Sequence, residues 1–321
     1  MQIVVNVLLF VFALVLTVKG GDYFVTASSS LAKKLKLPQV IVGATIVALA
    51  TTMPEFIVST IASAKGEYAL SVGNAVGSML SNIALICGIS IFVLPSKIKK
   101  GSLSKYFILI FLSLFLLVSS MNGKLDFAES IVLVCSFVFY MIVAVLDAKK
   151  QKTKAREEFE EKTSNWKTIF LFVFGAVAIG VGASILVKTA TNLSILFSIN
   201  QEFIGLTIVA VGTSLPELIT TIISIKRKEV ALGYGNIIGA NIINSTLLMG
   251  VSGLIAKGQP VALSKLSCLF IIPLLTLVTL VFVLPMMIKS KTFKWQGICL
   301  CLLYFLYLVV ITISTLNIGV V

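Results

Sequence analysis

Glu55 and Glu217 each lie in the middle of a long apolar stretch, and each follows a proline, Pro54 or Pro216. An acid at the centre of a membrane helix costs about 2.5–3.5 kcal/mol on insertion scales, so such residues mark ion pathways and binding sites. Proline gives no hydrogen bond to the carbonyl four residues back, here Ala50 or Gly212, and kinks a helix at that point. Each break therefore places a carboxylate near free carbonyl oxygens, hard ligands suited to Ca²⁺ and Na⁺. Helical spacing adds hydroxyls. Thr51 and Glu55 are four residues apart and share a face, as do Thr213 and Glu217, while Thr52 and Ser214 flank those faces. Further along, Ser78 and Asn82 stack at the same spacing, mirrored by Ala240 and Asn244. Gly73, Gly77, Gly235 and Gly239 form small-xxx-small patterns that predict close helix packing.

These residues occur in two copies at one offset. Shifted by 162 residues, GATIVALATTMPEFI (43–57) lies over GLTIVAVGTSLPELI (205–219) with nine identities in fifteen positions. Without a gap, GNAVGSMLSN (73–82) then lies over GNIIGANIIN (235–244). The period is too long for a solenoid, so the halves are expected to be paired units. We expect a first unit over 1–147 (motif 43–82), a linker over 148–166 and a second unit over 167–321 (motif 205–244). The linker, AKKQKTKAREEFEEKTSNW, alternates blocks of charge and lacks the Asp/Asn/Gly order of a calcium loop.

The elements that must carry these motifs are membrane helices. Of 321 residues, 58% are apolar and 12% charged, and mean hydropathy is +1.08; a soluble domain carries roughly 25% charge. This excludes a soluble enzyme, a nucleic-acid binder and a secreted disulfide scaffold. The net charge of +13 resides in short clusters between apolar spans, a topology signal. Ten spans are expected, at roughly 3–29, 38–64, 69–95, 103–122, 127–147, 167–190, 203–225, 230–256, 266–288 and 295–317. Alternate connections hold twenty and five Lys/Arg. The positive-inside rule then places both termini outside. Five spans per half is an odd number, so the second half enters from the opposite side and the repeats are inverted; in transporters of that plan the site lies at the midplane where broken helices meet. The fold class is an all-α polytopic membrane protein. Lys19, Asp22 and Lys188 lie near span ends and are expected to snorkel as interfacial anchors. The five cysteines lack metal or disulfide spacing and read as small hydrophobes.

The two motif pairs resemble the alpha repeats of the sodium/calcium exchangers, within the calcium/cation antiporter superfamily, in their prokaryotic form. GATIVALATTMPE with GNAVGSMLSN, and GLTIVAVGTSLPE with GNIIGANIIN, carry the resemblance, which extends over the whole chain. It implies Glu55 and Glu217 as central Ca²⁺ and Na⁺ ligands, with calcium-site backbone oxygens from Thr51 and Thr213. It implies sodium ligands from Thr52, Ser78, Asn82, Ser214 and Asn244, with the Ala48 and Ala210 carbonyls. It also implies that the first and sixth helices slide across the other eight. The chain departs from the family where its relatives often carry Ser and Asp, having Ala240 and Asn244 instead. One hydroxyl is lost, and two central carboxylates remain in place of three. Two carboxylates still neutralise one Ca²⁺, but the stoichiometry and the driving ion (Na⁺, H⁺ or Li⁺) stay open.

The expected function is a secondary antiporter exchanging Ca²⁺ for Na⁺, working as a monomer in the lipid of the cell membrane. A cofactor is not expected, and Ca²⁺ and Na⁺ are cargo. A cation channel is the rival class, although channel filters usually draw on several subunits. An intramembrane enzyme is disfavoured, since the chain has no His and neither an HExxH nor a GxSxG motif.

Overall fold

A computed structural model of the chain describes residues 2–35, 37–66, 68–97, 103–152, 165–196, 214–256 and 259–317. They are almost entirely helical. In order they form α1 (Gln2–Lys34), α2 (Gln39–Val42), α3 (Ala48–Ala64), α4 (Tyr68–Leu80), α5 (Gly88–Val93), α6 (Ser104–Ser120), β1 (Lys124–Leu125), α7 (Phe127–Lys152) and α8 (Asn165–Leu196). There follow α9 (Leu215–Lys226), α10 (Val230–Ile243), α11 (Met249–Ile255), β2 (Val261–Ala262), α12 (Ile272–Lys289) and α13 (Lys294–Asn317). Among the described residues six helices are long and apolar enough to cross a membrane, or seven with the bent run 39–64. Ser104–Ser120 and Trp166–Gly182 are shorter apolar helices. The expected span 203–225 falls within the described residues only from Ser214 onward.

The break at Pro54 is present: the axes of Gln39–Met53 and Glu55–Ala64 differ by 54°, far beyond the gentle curvature of an unbroken helix. The chain before Ser214 lies outside the described residues, so at Pro216 only the helix that follows is described. Pro216 lies in the first turn of α9 behind Ser214, where its missing N–H costs nothing. Wide π-turns interrupt other helices at Gly43–Val47, Ser81–Cys87 and Asn244–Leu248. Such insertions cluster at functional sites, and two of these contain Asn82 and Asn244.

Packing divides the molecule. A large core joins α4–α7 to α10–α13, while a small one gathers Phe24, Val25 and Ala32 of α1 with Ile179 of α8, Val42, Val47 and Leu232. The α1–α8 contact is close because it is built on small residues. A methyl at Gly20 would lie 2.7 Å from Ala178 Cβ, and one at Gly175 would lie 2.7 Å from the Phe24 nitrogen. α1 passes through Lys19 and Asp22 as one continuous helix. Lys19 is exposed, whereas Asp22 is more than an anchor, since it pairs with Arg227 at 2.6 Å. All five cysteines are free.

The glycine patterns of the two motifs separate. A methyl at Gly235 would meet Val40 O at 2.5 Å, and one at Gly239 would meet Ala48 Cβ at 2.7 Å and press on Ala44 O. α10 therefore lies backbone to backbone against the run 39–48. A methyl at Gly73, by contrast, would meet nothing within 4 Å, so the expected close packing is not found at that residue, while Gly77 on the same face is buried.

Candidate functional site

Glu55 is the first residue beyond the bend in α3 and is fully buried. Neither of its carboxylate oxygens has a hydrogen-bond partner. Asn74 of α4 braces the backbone instead, donating to Glu55 O at 3.3 Å and to Ser59 Oγ at 2.9 Å. Glu217, also fully buried, stands in the first turn of α9, where the positive end of the helix dipole favours an acid. Thr52 Oγ1 donates to Glu217 Oε1 at 3.0 Å, which ties α3 to α9 and leaves Oε2 free.

Neutral oxygens surround the pair. α3 packs against α9, α10 and the Asn244–Leu248 turn, and α10 packs against the Ser81–Cys87 turn. Thr51 Oγ1 lies 3.1 Å from Asn236 Oδ1 and 3.3 Å from Ala48 O. Asn82 Nδ2 donates to Asn241 Oδ1 at 3.1 Å, and Asn241 Nδ2 donates to Met79 O at 3.1 Å. The oxygens left over are Glu55 Oε1 and Oε2, Glu217 Oε2, Asn82 Oδ1, Asn244 Oδ1, Ser78 Oγ and Ser214 Oγ, all buried and without partners. A buried polar atom left unpaired costs about 1–3 kcal/mol, more when charged. A hard cation pairs oxygens of this kind, and Ca²⁺ takes 6–8 of them. Among the described residues no group of three His, Cys, Asp or Glu is placed to hold a metal ion, so an ion between the two acids would depend on neutral oxygens for the rest of its shell.

Within the sequence-derived set, Thr52 is bonded to Glu217 and Thr51 to Ala48; Glu55, Ser78, Asn82, Ser214 and Asn244 are buried on elements packed in the same core, while Ala210 and Thr213 lie outside the described residues. Ala240 is buried and offers no side-chain oxygen. Three asparagines were not singled out by sequence reasoning. Asn74 and Asn236 are the repeated Asn of the GN pairs, at the same 162-residue offset, and that repetition is the signal that identifies them. Asn241 has Met79 at the matching position, so the repeat gives no sign of it. A small open crevice lies beside Thr51, lined by Ala50, Pro216 and, on α8, Ala176, Ile179 and Gly180.

The profile described as sodium/calcium exchanger protein matches residues 5–146 and 167–313. The chain belongs to the sodium/calcium exchanger protein family. Sodium/calcium exchanger MaX1 of Methanosarcina acetivorans is 29% identical, over 97% of this chain and 99% of its own. Putative antiporter CaxA of Alkalimonas amylolytica is 33% identical over 76% and 79% of the two chains, and inner membrane protein YrbG of Escherichia coli is 34% identical over 80% and 82%. Among solved structures, the sodium-calcium exchanger NCX_Mj soaked with Na⁺ and Sr²⁺ superposes with a TM-score of 0.83 at 28% identity, covering 95% of this chain and 98% of that one.

Proposed function

We propose that this exchanger-family protein is a secondary antiporter that moves Ca²⁺ against Na⁺ by alternating access. The observation that carries the reading is the pair of buried carboxylates at matching positions of the repeat, Glu55 just beyond a bend and Glu217 in the first turn of a helix, with three of their four oxygens partnerless. Two negative charges balance one Ca²⁺, and the neutral oxygens complete either ion's shell. In this assignment Thr51, Glu55, Thr213 and Glu217 hold Ca²⁺. Na⁺ uses those residues with Thr52, Ser78, Asn82, Ser214, Asn244 and the Ala48 and Ala210 carbonyls. The protein acts as a monomer, needs no cofactor and is not an enzyme.

The same reading gives ten spans in two inverted halves, 1–147 and 167–321, joined by a linker, with both termini outside the cell membrane. Support comes from which connections meet. β1 pairs with β2, Lys124 opposite Ala262, and both belong to the lysine-poor set. Lys97 bridges to Lys291, and Asp22 to Arg227, within or beside the lysine-rich set. The separate α1–α8 packing unit is the pair that slides, and the crevice beside Thr51 lies on its path. An inward-negative potential supplies about 2.3 kcal/mol per net charge per 100 mV to electrogenic exchange.

A second reading, coupling to H⁺ or Li⁺, rests on Ala240 and Asn244, which leave the sodium sites short of a hydroxyl and a charge. ⁴⁵Ca²⁺ uptake into proteoliposomes under imposed Na⁺, K⁺, Li⁺ or H⁺ gradients tests both. Uptake driven by outward Na⁺ alone is expected. Uptake driven by H⁺ or Li⁺ but not Na⁺ selects the second reading, and non-saturating flux that needs no counter-ion indicates a channel.

A further inference from the structure

Below Glu217, three further hydroxyls lie along one face of α9. Thr220, Thr221 and Ser224 are three, four and seven residues beyond the acid and share its face. All three are fully buried, and none of their hydroxyl oxygens has a partner. Buried Ser and Thr elsewhere in this protein donate to the carbonyl four residues back, as Thr17, Ser28, Ser245, Ser252 and Thr279 do. The α9 hydroxyls do not take that default bond. α9 packs against α10 and α5; Gly233 of α10 admits Ser224, whose Cβ would lie 3.2 Å from a methyl there. Ser90 on α5 is a fourth buried hydroxyl without a partner.

The opposite half of the molecule provides the comparison. At the 162-residue offset Thr221 corresponds to Ser59 and Ser90 to Ser252. There the hydroxyls satisfy one another. Ser71 and Ser252 are bonded at 2.6 Å, and Ser59 accepts from Asn74 and donates to Ser71 O. Ser63 alone of that group is unpaired. One end of the molecule is thus closed by internal hydrogen bonds. The other, leading about 10 Å along α9 from Glu217 to Ser224 and then to Lys226–Lys228, offers open acceptors.

We propose that Ser90, Thr220, Thr221 and Ser224 form a transit site for a monovalent cation, Na⁺ in the proposed antiport cycle, between Glu217 and the Lys226 end of α9. Four hydroxyls replace part of the hydration shell of a singly charged ion. The hydroxyls add no charge of their own, and the carboxylates of Glu217 and of Glu229, whose Oε2 is buried and partnerless, stand only at the two ends of the row; between them a singly charged ion is matched better than Ca²⁺, and the route is assigned to it. The inference rests on the sodium-coupled reading above and adds a place to it.

The test compares the parent with a Thr220→Val, Thr221→Val, Ser224→Ala variant in proteoliposomes. Sodium-driven ⁴⁵Ca²⁺ uptake is expected to fall about tenfold, while calcium–calcium self-exchange without Na⁺ stays within twofold. Thermal stability is expected to be equal or higher, because partnerless buried hydroxyls are replaced by apolar groups of similar shape. A Thr220→Ser, Thr221→Ser variant should keep sodium-driven flux. The proposal is overturned if both fluxes stay parental, or if both fall together as a packing defect would cause. Parent protein lacking sodium-driven flux would overturn sodium coupling itself, a result read before any substitution is made.

Discussion

Replacing Glu55 by Gln should abolish calcium binding and stabilise the ion-free protein. The substitution keeps the shape and removes one charge from a side chain that is fully buried with both oxygens unpaired. Removing one partner of a buried charge pair costs about 3–5 kcal/mol, which at 1.36 kcal/mol per decade lowers Ca²⁺ affinity by about 10²–10⁴-fold. A ligand at one hundred times its Kd stabilises the native state by about 2.7 kcal/mol. If Glu55→Gln raises that Kd a thousandfold, the same Ca²⁺ concentration contributes only about 0.1 kcal/mol. Without ions the variant no longer buries the unpaired acid and gains up to about 3 kcal/mol. The assay is thermal unfolding of detergent-purified parent and variant with and without Ca²⁺. The parent should show a calcium-dependent rise in Tm, and Glu55→Gln a higher ion-free Tm with no rise. A calcium-dependent rise in the variant equal to the parent's would refute Glu55 as a ligand. Glu217→Gln should behave similarly with a smaller ion-free gain, since Thr52 already occupies one of its oxygens.

Asn244→Asp places a titratable group among Glu55 and Glu217, so calcium flux between pH 6 and 8 under a fixed sodium gradient should become proton-inhibited in the variant and stay flat in the parent; superimposable profiles would count against Asn244 as a ligand. Thr52→Val removes the bond to Glu217 Oε1 and should cost about 1.5–3 kcal/mol, the range for hydrogen bonds to charged groups, visible as lower sodium affinity in flux titrations. Gly239→Ala forces a methyl onto the Ala44 backbone and Ala48 Cβ and should destabilise by about 1–3 kcal/mol. Gly73→Ala, with nothing in its way, should leave thermal stability and flux unchanged, a contrast that a symmetric role for the two glycines would not produce.

Much of the site was legible because the residues that make it are expensive where they lie. An acid within an apolar span after a proline, repeated at 162 residues, marks itself: Glu55 and Glu217 are both fully buried, and Glu55 stands at the expected bend. Periodicity likewise identified the faces carrying Thr51, Ser78 and Asn82. Contacts between halves were not legible. Nothing in the spacing tells that Asn236 faces Thr51, or that Asn241 joins Asn82 to Met79, because these bonds depend on how α10 crosses α3 and α4. The glycine patterns held on α10, where Gly235 and Gly239 meet the run 39–48, but not at Gly73, which meets nothing within 4 Å; matching sequence positions do not tell which of two equivalent faces another backbone will meet.

The most direct measurement of the central claim is ⁴⁵Ca²⁺ uptake by proteoliposomes loaded with Na⁺ and diluted into Na⁺-free buffer, made in parallel for the parent, Glu55→Gln and Glu217→Gln. Two buried carboxylates exchanging Ca²⁺ for Na⁺ predict saturable, sodium-dependent uptake in the parent and none above background in either variant. Near-parental, sodium-driven uptake in either variant would contradict it.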